Sequence, residues 1–176
     1  MTARGSRGQR RLMSSREPNA YRTTFQAQRP RVAWFSDVIC RRLASTDEPL
    51  HGLDIGCGTG EQLFDLALRL PRARFVGVDI APANVTAAIQ RQATHPAGDR
   101  LSFQAADYRS FRAPEPFDVV ITYSVLQWIS GGAELLAYRI AQDATGSGLF
   151  VNVMPYRCAY NDVLALVRRG LRAVRT

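Results

Sequence analysis

The sequence predicts an α/β fold of three layers, a parallel sheet with helices on both faces. Three observations carry that expectation. Short apolar runs alternate with amphipathic helical stretches from residue 50 onward. The runs lack the polar alternation of a half-solvated strand. The first of them ends in a glycine turn, Gly56–Gly60, the punctuation expected where a strand hands over to a helix at the ligand-binding edge of an open parallel sheet.

Ahead of the sheet, RPRVAWFSDVICRRLAS spaces Val32, Phe35, Val38, Ile39 and Leu43 as one helical face with arginines opposite, which predicts a helix over about 30–45. TDEP breaks it, and LHGLDIGCGTG reads as the first strand and its turn. EQLFDLALRLP follows as a helix with Leu63, Leu66, Ala67 and Leu70 in one stripe, stopped by Pro71. ARFVGVDI is the second strand, and PANVTAAIQRQAT a helix with Pro82 in its first turn. LSFQAAD and FDVVITYS are the third and fourth strands, ELLAYRIAQDAT a helix, and GLFVNVMP the fifth strand. The last stretch, CAYNDVLALVRRGLRAVRT, predicts an amphipathic helix over about 159–174.

A chain of 176 residues holds one such domain, expected over 19–176, behind a basic arm over 1–18. The net charge of +8 comes from 23 arginines and no lysine, which reads as coding bias. Five of them, Arg4, Arg7, Arg10, Arg11 and Arg16, fall in the first 16 residues among glycine and serine, a composition that predicts a solvated tail. The arm has no interleaved aromatics to stack on bases and almost no apolar face, so neither a nucleic-acid partner nor a transit peptide is expected. No apolar run reaches the roughly 18 residues a membrane span requires. Cys40, Cys57 and Cys158 are odd in number and widely spaced, which predicts core thiols in a reducing, cytoplasmic setting and no metal site.

The glycine turn narrows the ligand. A dinucleotide site of the G-x-G-x-x-G kind wants glycine at position 61, where this chain has Glu61, and Asp54 just before the turn argues for a less anionic ligand. LDIGCGTG resembles the first motif of the class I, Rossmann-like S-adenosyl-L-methionine-dependent methyltransferases, and VGVDIAPANV resembles their second at the matching distance. AADYRSF resembles the third and FDVVITYSVLQWI the fourth, whose SVLQW run is similar to small-molecule methyltransferases including the trans-aconitate type. The likeness covers about residues 50–155.

The resemblance implies a donor cradled by Asp54, Gly56, Cys57, Gly58 and Gly60. It implies that Asp79 accepts from both ribose hydroxyls, that Ile80 packs on the adenine, and that Asp107 and the backbone at Tyr108 take the adenine edge. Ser124 would lie near the methionine part, with Leu126, Gln127 and Trp128 bordering a small-molecule acceptor. Asp118 reads instead as a strand-end cap, and His51 and His95 as structural. If the acceptor is a carboxylate it needs no base, only a cation; Arg157 is placed for that, and Tyr21 and Phe25 for an N-terminal lid.

The family usually adds two strands after the fifth, and no sequence remains for them here. Strand five is then expected at the sheet edge, covered by the last helix or by a second copy of the chain. A truncated chain, an enzyme completed by dimerisation and a cofactor- or partner-binding module without catalysis all fit that departure. The absence of an Asn-Pro-Pro-aromatic or Asp-Pro-Pro-aromatic run counts against a nucleobase acceptor.

Overall fold

The computed structural model describes residues 29–43 and 48–154. The arm over 1–18, the predicted C-terminal helix, Tyr21, Phe25, Arg157 and Cys158 lie outside the described residues. Helix α1 (Arg29–Leu43) is followed by β1 (Leu50–Ile55), α2 (Glu61–Arg69), β2 (Ala73–Asp79), α3 (Pro82–Gln92), β3 (Leu101–Ala105), β4 (Phe117–Tyr123), α4 (Ala133–Asp143) and β5 (Ala144–Val153). The five strands are all parallel, in the order β3-β2-β1-β4-β5.

That order places the first strand at the centre, and its flanks explain the sequence pattern. Gly52, Leu53, Asp54 and Ile55 of β1 are paired on both sides, with β2 and with β4. Phe35 and Ile39 of α1 and Leu63, Phe64, Leu66 and Ala67 of α2 pack against one face of the sheet. Ile140 of α4 closes the other face, together with Tyr108 and Phe111 from the loop after β3, over Leu53, Ile55 and Val120. α3 sits beside α2, where the Arg91 guanidinium lies 4.3 Å from the Phe64 ring centroid. The expected stripe of α2 omitted Phe64, which is fully buried between Phe103 and His95.

Two ties hold elements that carry no motif. Arg100 ties the C-terminal end of α2 to the start of β2 by donating to the carbonyls of Ala67, Leu70 and Ala73 at 2.6, 2.9 and 3.0 Å. The Tyr108 hydroxyl donates to Asp143 of α4 at 2.7 Å, and Arg139 holds the same carboxylate at 3.1 Å. Tyr108→Phe is expected to cost about 1 kcal/mol, because one buried hydrogen bond is lost while Arg139 still pairs Asp143. Chemical denaturation checks this; no change in midpoint would contradict it.

The boundaries differ from expectation at α4. The spacing predicts helix through Thr145, but α4 ends at Asp143 and β5 starts at Ala144. Pairing to β4 takes over there: Ala144 is opposite Phe117, with a register break before Val119 meets Leu149. β5 is one of the two outer strands among the described residues, as its place in the sequence implied, but it is not buried on both faces as its apolar run suggested. Asp118 does cap a strand end, accepting the His51 N–H at 2.9 Å. His51 itself is the second residue of β1, at the end opposite the glycine turn.

Candidate functional site

The C-terminal ends of β1, β2, β3 and β4 converge on one edge, and the glycine turn is fixed there by backbone. The N–H groups of Gly56 and Cys57 both donate to the Val78 carbonyl, at 2.7 and 3.1 Å, and the Gly60 N–H donates to Cys57 at 2.9 Å. Gly56, Gly58 and Gly60 have φ of 76°, 57° and 82°, which L side chains rarely adopt. Their surroundings differ. A Cβ on Gly56 would overlap the Val125 side chain, and one on Gly60 would stand 2.8 and 2.9 Å from ring atoms of Phe103 and Phe64. A Cβ on Gly58 would meet nothing within 4 Å. Gly56 and Gly60 therefore serve packing, while Gly58 leaves an open approach to backbone.

These contrasts set a prediction. Gly60→Ala should cost about 2–3 kcal/mol, from the left-handed backbone and two immobile rings, and Gly58→Ala only about 1–2 from the backbone. Thermal melts of the two variants report the difference, and equal losses would contradict the assignment.

Asp79, at the end of β2, aims its carboxylate at this open stretch. Its Oδ2 accepts the Gly58 N–H at 2.8 Å; its Oδ1 accepts the Ala81 N–H at 2.8 Å and the Asn84 amide at 3.4 Å. Three donors leave acceptor capacity on a carboxylate with about four lone-pair sites. Asn84 was not anticipated from sequence; its signal was an amide in the first turn of α3, five residues after Asp79.

Asp54 precedes the turn on the central strand and is only 4% exposed. Among the described residues none donates a hydrogen bond to its carboxyl, whose oxygens are not fully sealed from solvent. Burial, and then the charge of Asp79, push its pKa up to about 8. The Cys57 side chain turns into the sheet, where a Cβ on Gly77 would touch its sulfur at 2.8 Å. Burial raises that thiol well above its usual range, so what Cys57 can offer a ligand is backbone.

Beyond β3, Asp107 is clamped by a residue that the motif reading passed over. Arg109 reaches both carboxylate oxygens, at 3.1 and 3.0 Å through Nε, and its own N–H donates to Oδ1 at 2.9 Å. The hydrogen bond from Arg109 holds the Asp107 carboxyl below its usual range. The same guanidinium donates to Ser130 at 2.7 Å, joining the Asp107 loop to the segment after β4. The side chain of Tyr108 is committed to Asp143, consistent with a role for its backbone alone.

At the end of β4, Ser124 adopts φ 58°, the one non-glycine residue in that region among those described. Its N–H donates to Val153 at 2.7 Å, and its carbonyl accepts the Gln127 amide at 2.8 Å. Such backbone is sustained only where neighbours over-determine it. The Gln127 Oε1 is buried without a hydrogen-bond partner among the described residues. Leu126 and Gln127 are partly covered in the 3-10 turn Leu126–Trp128, while Trp128 and Ile80 are exposed at 48% and 39%. The His95 ring lies tilted by 49° against Phe64, with centroids 4.7 Å apart. Among the described residues no group of His, Cys, Asp and Glu is placed to hold a metal ion. None of their helices is long and apolar enough to cross a membrane.

A central glycine turn, an acidic residue closing the next strand and a parallel sheet in this order define the scaffold of class I methyltransferases. The chain belongs to the methyltransferase domain family, whose sequence profile matches residues 53–142. It is 34% identical over 119 residues to trans-aconitate 2-methyltransferase of Streptomyces coelicolor, covering 68% of this chain and 39% of that enzyme. The enzyme of the same name from Methylobacterium radiotolerans is 30% identical over 141 residues, covering 80% of this chain and 50% of its own. The chain thus spans half or less of these relatives.

Among solved structures, a methyltransferase of Thiobacillus denitrificans in complex with S-adenosyl-L-homocysteine superposes with a TM-score of 0.61 at 21% identity, covering 80% of this chain and 53% of that one. The [4+2]-cyclase SpnF superposes with a TM-score of 0.59 at 22% identity, covering 67% and 43%. At such identities the superpositions speak for the fold, and a cyclase among them shows that the fold alone does not fix the reaction.

Proposed function

We propose that the chain binds S-adenosyl-L-methionine at the glycine turn and directs its methyl group to an oxygen of a small carboxylic acid. The observation that carries this reading is the open face of Gly58 beside the Asp79 carboxylate, which already holds the Gly58 N–H. A nucleoside diol fits such a place: the carboxylate keeps one acceptor site free and gains a second if the 3.4 Å contact from Asn84 gives way, and the bare glycine admits the sugar. The site also fits in sign, since the Asp79 carboxylate favours a cationic ligand over a pyrophosphate.

In this reading Gly58 and Asp79 hold the ribose on a turn shaped by Gly56 and Gly60, with Ile80, Asp107 and Tyr108 on the adenine side and Ser124 on the amino-acid side. When bound, the sulfonium would supply an electrophilic methyl to a carboxylate oxygen, the carbon–sulfur pair staying on sulfur, and the acceptor would have no proton to lose. The chain's task is alignment and exclusion of water. Leu126, Gln127 and Trp128 border the acceptor, with Tyr21 and Phe25 as its lid and Arg157 as the cation that orients the acid. The similarity to trans-aconitate 2-methyltransferases supports an unsaturated polycarboxylate as the acceptor. The reading also places the chain in the cytoplasm, with a second copy pairing along the outer side of β5.

The test is calorimetric titration with S-adenosyl-L-methionine and with a nicotinamide dinucleotide, followed by turnover of a panel of small polycarboxylates. Binding of the first alone, with methyl ester formed, is the expected result. Binding of the dinucleotide instead would end the reading. Arg157→Ala with unchanged turnover of the identified acid would remove that residue's role, and a strict monomer with full activity would remove the second copy.

A further inference from the structure

Asp54 is a buried carboxyl that the folded chain does not otherwise use. It lies on the central strand, with Ile55 then the glycine turn after it. Its side chain is on the face opposite Leu53 and Ile55, beside Gly77 of β2 and Ile121 of β4 in the pairing register. The charged group that reaches it is Asp79 of β2; the Cys57 thiol of the turn, neutral because burial raises its pKa, itself feels the charges of Asp54, Asp79 and Glu61. Among the described residues no arginine or histidine, from α1, α2 or β4, is a counter-charge to it.

The strand order fixes what would lie above it. Resting on the reading above, the ribose is held at the end of β2 and the amino-acid part near the end of β4, and β1 runs between those two strands. The sulfur that joins ribose to amino acid therefore crosses the end of β1, over Asp54. Donor and product differ only at that sulfur, which carries the methyl group and a positive charge in the donor and neither in the thioether product.

We propose that Asp54 is the specificity-determining group that lets the site distinguish the sulfonium donor from the neutral thioether product. An unpaired buried carboxyl is poorly solvated as an anion, so a cation brought beside it stabilises the ionised form and expels a proton. The thioether brings no such charge and leaves the carboxyl protonated. Donor binding then tightens with rising pH and product binding does not, which favours release of spent product over donor.

The experiment measures the dissociation constants of S-adenosyl-L-methionine and S-adenosyl-L-homocysteine by calorimetry from pH 6 to 8, with protons counted from buffers of different ionisation enthalpy. The expected result is a product-to-donor ratio of constants that rises about tenfold over this range, with up to one proton released per donor bound. In Asp54→Asn the ratio is expected to be flat. A ratio independent of pH in the native chain, or a pH dependence that persists in Asp54→Asn, would overturn the proposal while leaving donor binding intact. Absence of binding by both nucleosides at every pH would overturn it together with the function on which it rests. Should Asp54→Asn fail to fold, the proton count in the native chain decides: none released on donor binding contradicts the proposal.

Discussion

Replacing Asp79 with asparagine is expected to weaken binding of S-adenosyl-L-homocysteine by about a hundredfold, because two hydroxyl donors lose an ionised acceptor. The geometry makes this larger than an ordinary surface loss. Asp79 is 9% exposed, and its two oxygens organise the Gly58 and Ala81 N–H groups at 2.8 Å each. An amide keeps one acceptor and turns a donor toward the other N–H, so the turn loosens as the ligand's partner disappears. Circular dichroism and a melt of the variant separate the two effects. A variant that folds normally and binds the nucleoside unchanged would contradict the assignment of Asp79.

The second large effect concerns pH and Asp54. Its folded pKa is raised to about 8 from 3.8, so the folded state holds a proton that the unfolded chain gives up. Stability from this group is therefore fully present below about pH 4 and is lost as pH rises toward 8 and beyond. Across that window the loss amounts to a few kcal/mol, a substantial part of the about 5–15 kcal/mol that holds a domain together. Asp54→Asn, which has no proton to lose, should be less sensitive to alkaline pH than the native chain and more stable than it at pH 9. Urea midpoints of both proteins from pH 5 to 9 test this, and parallel pH profiles would contradict it.

The two aspartates also show what the sequence could and could not convey. The sheet was legible because a parallel strand buried on both faces has a plain apolar signature, and Leu53, Ile55, Val119 and Ile121 supply it. The glycine turn was legible because φ near +60 to +80° leaves few residues to choose from. Phe64 was missed because the apolar stripe of α2 is wider than the four positions spaced at one face, and α3 covers its flank. The end of α4 was missed because pairing with β4 outweighs the helix preference of Ala144.

Side-chain partners were the least legible part of the site. Nothing local in Asp107-Tyr108-Arg109 says that the arginine folds back on Asp107 and reaches Ser130, since Ser130 is brought there by the turn after β4. Tyr108 likewise finds Asp143 only because α4 covers that face of the sheet. Asn84 serves Asp79 through the tight entry into α3, where Ala81 carries the other N–H. Motif spacing located residues gathered at the C-terminal edge of the sheet; some of the contacts that hold them come from elements 20 or more positions away, such as Ser130 from Arg109 and Asp143 from Tyr108.

A crystal structure of the chain grown with S-adenosyl-L-homocysteine tests the central claim most directly. The account predicts the nucleoside over Gly58, both ribose hydroxyls on Asp79, and the thioether sulfur above the end of β1. A nucleoside bound elsewhere, or the space over Gly58 filled by the chain itself, would contradict it.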